Sequence, residues 1–421
     1  MDISDTALNN TVRHQELGLY FHIPFCARKC NYCDFLSAPA GPELISDYFE
    51  AMHTEIMQYR GRTGDYIVPT IFIGGGTPSY VESRYIKAVM NTVKEVFQLD
   101  NGRLEATIEL NPGTVTPEKL QTYKRLGINR LSFGLQSADE KELKLLGRIH
   151  TFEEFTENYI LARKLGFRNI NIDLMSALPG QTLKSWENTL NAVIELQPEH
   201  ISAYGLIVEE GTKFYDYYKE GGELHHNLPD EETDRFIYYK TKEILCMHGY
   251  HRYEISNYAK DAFECRHNSS YWIGTDYLGI GIGASSLIHG ARFSNMHDIE
   301  QYIKQCKAYH DLRLQEDSGK KERSENADIL ENSIGLRSDY EVLSRKQRME
   351  EFMFLGLRMC AGISKSAFFQ RFGTDMHSVY GDILHRLGNE KLLINEGDRV
   401  RLTDYGTDIS NYVFSQFLLE N

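Results

Sequence analysis

Residues 22–35 read HIPFCARKCNYCDF. Cys26, Cys30 and Cys33 stand there in a C-x3-C-x2-C arrangement. Thiols this close in sequence point to metal chemistry. A structural zinc takes four Cys or His ligands, usually as two separated pairs. An iron–sulfur cubane is held by cysteines clustered in a loop. No second C-x2-C lies downstream, and His22 is expected inside a strand. Three thiolates on a cubane would leave one iron open, as a catalytic metal site keeps a position for substrate. On the residues alone, zinc and a cluster are both readings, and the cluster fits better.

Around this stretch the chain repeats one rhythm from residue 17 to about 210. Short β-rich runs fall at 17–24, 70–75, 106–112, 130–137, 169–180 and 200–208. Helical patterns separate them at 43–60, 83–98, 116–127, 151–166 and 182–197. Thr116, Thr151 and Thr182 read as N-caps, with Pro117 at a first helical position. Alternating βα units predict a parallel α/β sheet, as a partial or full (β/α) barrel. Chemistry then belongs at the carboxyl ends of the strands, and the cysteine loop follows strand one directly.

The rhythm changes after residue 210. Residues 212–248 read as helical and Tyr-rich, and 315–330 as a solvated loop. The tail reads as helix (351–360), helix (365–373), hairpin (391–403) and a last helix, a winged-helix-like α+β module. The low-tech reading of that tail is a packing cap on the main domain. The expected organisation is a tail (1–16), a core (17–250), an extension with linker (251–345) and the C-terminal module (346–421).

Composition narrows the function classes. The 421-residue chain carries a net charge of −14, which repels phosphate backbones and argues against nucleic acid as a partner. Seven cysteines without a regular framework argue against a disulfide-stapled protein. The polar start, MDISDTALNNTVRHQEL, has no apolar signal core, and no run is long enough to span a bilayer. A reducing, cytoplasmic setting is expected.

Other strand ends carry polar groups. GGGTP (74–78) offers Gly75, Gly76 and Thr77, whose backbone can approach a ligand closely. Glu109, Gln136 and Asp173 end three successive strands within apolar runs. A buried carboxylate is costly unless paired, so two in one pore suggest a cationic ligand. Arg148 adds a cation, expected to pair with Asp173 or with a ligand carboxylate. GIGIGASS (279–286) fits a dinucleotide fingerprint only by accident, since no acidic residue follows at the required distance.

The cysteine motif, with Tyr32 before its last thiol, resembles that of the radical S-adenosylmethionine (SAM) enzymes. The resemblance implies a [4Fe-4S] cluster on Cys26, Cys30 and Cys33. Its open iron would chelate SAM, which an electron cleaves to a deoxyadenosyl radical. The phrases YFHIPFC, GGGTPS, GLQSADEKELKLLGRIH, NIDLMSALPGQT and YEISNYA narrow the likeness to the HemN/HemW group, over residue 17 to the C-terminus. They mark Tyr20, Tyr32, Gly75, Gly76, Thr77, Glu109, Gln136, Arg148 and Asp173 as SAM-contacting positions. That group includes oxygen-independent coproporphyrinogen III oxidases and a haem chaperone. The oxidases have a fourth cysteine two residues after the third and an N-terminal extension. Here Phe35 takes that position, and the first cysteine comes at residue 26. HNSSYW (267–272) matches a motif of the chaperones and makes His267 the haem-ligand candidate. The bland reading of His267 is a satisfied core histidine. Cys265 is a rival ligand, His289 a poorer one, and Ser285 stands where the group often has histidine.

The resemblance thus implies haem as cargo and haem-accepting proteins, such as respiratory cytochromes, as partners. It also implies an electron donor, with peripheral membrane association and a homodimer as open options. The alternative is radical oxidative decarboxylation of coproporphyrinogen propionates. A zinc-stabilised scaffold is the third reading.

Overall fold

The computed structural model describes residues 14–317 and 328–419. Most of the expected N-terminal tail, and the middle of the 315–330 stretch, lie outside the described residues.

Six strands form the first half of the architecture: β1 (Gln15–Ile23), β2 (Tyr66–Gly75), β3 (Glu105–Leu110), β4 (Arg130–Gln136), β5 (Ile170–Ser176) and β6 (His200–Gly205). They are parallel and adjacent in chain order. The helices between them are α1 (Pro42–Gln58), α2 (Ser83–Val96), α3 (Pro117–Leu126), α4 (Glu140–Leu146), α5 (Phe152–Lys164) and α6 (Leu183–Glu195). Thr116, Thr151 and Thr182 cap their helices through side-chain oxygens, the last two in capping boxes. Helix α4 was not expected. It has only seven residues, too short for periodicity to show, and is set by the Asp139 N-cap and the left-handed Gly147.

Alternation in β1 sends Leu17, Leu19, Phe21 and Ile23 to the helical layer, where they are fully buried. Tyr20 and His22 therefore face the concave side. The sheet does not close. Strands β7 (His251–Arg252) and β8 (Asn257–Ala259) extend it beyond β6. On the other side β9 (Asp276–Ile280) runs parallel to β1, followed by antiparallel β10 (Ser285–Ile288), β11 (Ala291–Asn295) and β12 (Arg337–Val342). The result is one twelve-stranded sheet with β7 and β12 at its edges, the partial form of the expected barrel. The glycine run 279–286 is thus the β9–β10 connection rather than a nucleotide loop.

A buried carboxylate anchors that connection. Glu55 of α1 accepts from the Gly281 N–H (2.9 Å), Asn295 Nδ2 (2.6 Å) and the Tyr302 hydroxyl. Tyr48, about two turns earlier, donates to the His22 carbonyl at 2.7 Å and accepts from the Ile282 N–H at 3.2 Å. The extension is so tied to the strand that feeds the cysteine loop.

The C-terminal part has its own core, with Met353, Phe368, Tyr380, Leu387, Val400 and Phe417 buried together. A hairpin, β14 (Leu393–Glu396) and β15 (Arg399–Leu402), pairs with the short β13 (Ile363–Ser364). Between the second expected helix and the hairpin lies a further helix, Met376–Asn389, which the sequence reading missed. Gly381 and Gly388 blur its periodicity, and Asp375 caps it. Helices Arg345–Gly356, Lys365–Phe372 and Met376–Asn389 and the three-stranded sheet make a winged-helix-like unit, and the expected last helix is two short ones, Asp404–Asp408 and Ser410–Ser415.

Burial pushes the Glu55 carboxyl up to about 7. The folded chain therefore keeps a proton that the unfolded chain releases near 4.5. Stability must fall as pH rises through that window. Glu55→Gln should flatten the fall by about 1–3 kcal/mol, read by urea unfolding at several pH values. Parallel curves for the two proteins would refute this assignment.

Candidate functional site

The carboxyl ends of β1–β6 surround a cavity of about 500 Å³. Cys26, Cys30 and Cys33 line it, all three free thiols. Among the described residues, no three His, Cys, Asp or Glu side chains converge as a single-ion site. The thiols border a volume, as a cluster requires. A lone tetrahedral zinc would need each sulfur about 2.3 Å from one point. No further cysteine and no histidine is among the described residues lining the cavity, so the donor set fits a cluster with one open iron. Burial pushes the Cys26 and Cys33 thiols up, so a metal's own charge must draw off their protons.

Backbone contacts fix the cysteine loop. The Gly76 N–H donates to the Ile23 carbonyl and the Thr77 N–H to the Phe25 carbonyl, both at 2.8 Å. The Ala38 N–H closes the loop on the Pro24 carbonyl at 2.9 Å, and His22 Nε2 meets the Leu36 carbonyl at 2.8 Å. On the far side Asn31 is a strut the sequence reading did not single out. Its Nδ2 donates to the Leu145 carbonyl, its N–H to the Leu146 carbonyl, and its carbonyl accepts from the Phe214 N–H, each at 2.9 Å. Its only sequence signal was its place between two cysteines. Tyr32 lines the cavity and packs on Phe214 at 6.4 Å between centroids.

The glycine-rich turn borders the cavity through Gly75, Gly76 and Thr77. The N–H groups of the turn are engaged within the protein. Gly76 and Thr77 spend theirs on the cysteine loop, and Gly75 donates to Glu109 Oε2 at 3.0 Å. Gly75 has φ of 117°, and a Cβ there would lie 2.8 Å from the His22 ring. Glycine is required on both counts.

Glu109 and Asp173 both reach the cavity. The register sets Glu109 beside Ser132 and Gly134 beside Asp173. Asp173 accepts from Ser132 Oγ (3.0 Å) and Asn171 Nδ2 (2.8 Å). Burial, then the charge of Asp173, pushes Glu109 up to about 8. Burial raises Asp173 as well, against its hydrogen bonds. Two carboxyls held above their ordinary range in one cavity favour a cation between them. Gln136 adopts φ of 75° at a bulge and accepts from the Tyr204 hydroxyl at 2.9 Å. Backbone strain of this kind collects at sites where a side chain must be aimed.

Of the two partners expected for Arg148, Asp173 is not the one. Its guanidinium donates to the Gly134 carbonyl, to Asn111 Oδ1 and to Cys30 Sγ (3.5 Å), and forms no ion pair with Asp173. It holds the loop end of β4 against the cysteine loop.

Two expected residues lie apart from the cavity lining. Tyr20 donates its hydroxyl toward His22 Nδ1 (3.1 Å) and stacks on Phe72. His267 is 1% exposed, with Nδ1 to Thr70 Oγ1 (2.9 Å) and Nε2 to the Tyr271 hydroxyl (2.8 Å). Burial pushes it down to about 3, so it is neutral. In this conformation neither ring nitrogen is open to iron, and the bland reading of a satisfied core histidine describes it. Cys265 is buried against Glu105, and the exposed His289 meets Tyr66 through Nε2 alone.

Gly75→Ala should destabilise the chain by about 1–3 kcal/mol, through the His22 collision and the positive φ. Chemical denaturation measures it. An unchanged midpoint would show that the turn can relax.

Comparison with known proteins agrees with this geometry. The profile of the radical SAM superfamily matches residues 20–193, and that of the HemN C-terminal domain residues 343–409. The haem chaperone HemW of Bacillus subtilis is 37% identical over 95% of this chain and 99% of its own. That of Lactococcus lactis is 34% identical over 96% and 97%. Coproporphyrinogen III oxidase (HemN) of Escherichia coli, a radical SAM enzyme, superposes with a TM-score of 0.78 at 23% identity, covering 96% of this chain and 90% of that one. At that identity the likeness shows the fold. With a radical SAM core, a HemN-type C-terminal domain and sequence identity along nearly its whole length, the chain belongs to the HemW family of the radical SAM superfamily.

Proposed function

We propose that this protein is a haem chaperone that holds a [4Fe-4S] cluster and SAM, and passes haem to acceptor proteins such as respiratory cytochromes. The observation that carries this reading is a single cavity joining three free thiols to two half-buried carboxyls, with Phe35 where a fourth thiol would stand. The haem function rests on the names of its full-length relatives. No helix among the described residues is long and apolar enough to cross a membrane, which accords with a cytoplasmic setting.

Cys26, Cys30 and Cys33 would hold the cluster. When bound, the cluster supplies an electron and an open iron for the amino acid end of SAM. The chain's own residues do the rest. Glu109 and Asp173 face the cationic parts of the ligand, and Gly75–Thr77 let it approach the backbone. Tyr32 and Gln136 border the same space. Arg148 keeps the Cys30 sulfur in place, and Tyr20 supports β1 from the concave side.

Glu109 also fixes a pH dependence. A cation binds the ionised carboxyl, and the free site holds its proton up to about 8. SAM affinity should therefore rise from about pH 6 to 8, with proton release. Glu109→Gln should weaken binding roughly tenfold and flatten that rise. Anaerobic calorimetry on the reconstituted protein decides, and a rise that persists in the variant would remove Glu109 from this role.

The main test is anaerobic reconstitution followed by haem titration. A haem-dependent Soret shift is expected, and its absence would refute the chaperone reading. Protoporphyrinogen formation with stoichiometric SAM cleavage would establish the oxidase instead. Cys30→Ala should abolish the brown cluster absorbance; zinc without iron or acid-labile sulfide would favour the scaffold reading. His267→Ala should cost about 1–3 kcal/mol of stability from its lost buried hydrogen bonds. The folded variant should keep the Soret shift. Loss of that shift would make His267 the ligand, in a conformation that breaks its bond to Tyr271.

A further inference from the structure

A second cavity, about 300 Å³, lies at the opposite pole of the sheet, between the amino ends of β1 and β9 and the C-terminal unit. Eight residues of β1 separate its two poles, roughly 26 Å at about 3.3 Å per residue. The SAM reading makes no use of it.

Its acids and bases are not paired with one another. Two acids, Asp276 and Glu351, and two bases, Arg348 and Arg371, line it. Both acids are engaged. Glu351 takes Arg292 in a two-pronged pair at 2.7 and 2.9 Å. Asp276 accepts from the Tyr66 hydroxyl (2.7 Å) and the His289 N–H (3.1 Å) through one oxygen. The cations are not so engaged. Arg371 donates to the Ile273 and Gly274 carbonyls at 3.3 and 3.2 Å, and to no carboxylate. The Arg348 side chain has no hydrogen-bond or ion-pair partner among the described residues. With Glu351 held by Arg292 from outside the lining, two arginines face one remaining acid, Asp276, in a chain whose net charge is −14.

Two more features point to an absent acceptor. The indole N–H of Trp272, which lines the cavity, is shut from solvent and has no partner. Gly274 and Gly290, both with positive φ, leave room for the arginines: a Cβ would lie 2.8 Å from Arg371 and 3.4 Å from Arg348. The remaining wall is apolar, with Leu287, Leu343, Phe352 and Leu355.

We propose that this seam binds the carboxylate of an amphipathic organic anion, its acid on Arg348 and Arg371 and its apolar part on the Trp272 and Phe352 side. Guanidinium forks match carboxylate geometry, and an apolar wall with few convergent polar groups is how ligand pockets are made. Haem, through a propionate, is the member of this class that the proposed function supplies; that identification rests on the chaperone reading.

The test uses the reconstituted full chain and Arg348→Gln, whose side chain has no structural bond to lose. The probes are haem and its dimethyl ester, and dodecanoate and dodecanol. The variant should lose roughly tenfold in affinity for the two acids and nothing for their neutral counterparts, the scale of one charge-assisted hydrogen bond. Dodecanoate behaving so while the wild type takes up no haem keeps the seam and removes haem as its ligand. Unchanged binding of both acids in Arg348→Gln and in Arg371→Gln overturns the proposal, and leaves the chaperone reading to its own titration.

Discussion

Two peptide N–H groups, those of Gly76 and Thr77, hold the cysteine loop to the sheet. Their acceptors are carbonyls at the end of β1 and just past it, so the loop is pinned where the strand stops. Everything at the site depends on that pin. It sets the thiols over the strand ends, leaves Gly75 free to donate to Glu109, and turns the glycine-rich segment into a floor. The pin works because glycine admits close approach: a Cβ on Gly76 would lie 2.8 Å from the Phe25 carbonyl. Asn31 and Arg148 brace the loop from the β4–α4 side, so it is gripped at both ends before any metal enters.

The site is also where the molecule concentrates electrostatic cost. Glu109 and Asp173 stand half-buried beside each other's negative charge, and both are held above the ordinary carboxylate range. Such an arrangement is unfavourable for an empty fold and favourable once a cation arrives. Glu55 shows the contrasting use of a buried acid. Three donors satisfy it, and it joins α1, the β9–β10 connection and the helix carrying Tyr302. One kind of residue thus lines a cavity in one place and serves architecture in the other, and whether it borders open volume tells which.

Much of this was legible in the chain itself. The βα rhythm, the three threonine caps and the cysteine loop after β1 are local signals, and local signals survive folding. The strand-end acids were legible because a charge inside an apolar run is costly anywhere. What escaped depends on long-range contact. Asn31 meets the end of α4 more than a hundred residues away. Arg148 had a plausible acid partner by charge, yet its fork is filled by a carbonyl, an amide and a sulfur. His267 had a motif around it, and only the fold shows Thr70 and Tyr271 on its two nitrogens. Among the helices the reading missed, 140–146 was lost to shortness and 376–389 to internal glycines, while 266–272 and 299–317 were not read at all.

The asymmetry of the open sheet bears on traffic. β1 is laddered on both flanks, to β2 and to β9, as the other strands of the parallel run are on theirs, so the wall that bears the cysteines is held by backbone on each side. The Leu206 N–H still reaches the Ser176 carbonyl after β6, and beyond it Ile207 and Glu209 border the cavity from irregular chain, Ile207 being 69% exposed. Chain held by few backbone hydrogen bonds opens at low cost. The border after β6 is therefore a side of the cavity that can give way without disturbing the strands beneath the thiols.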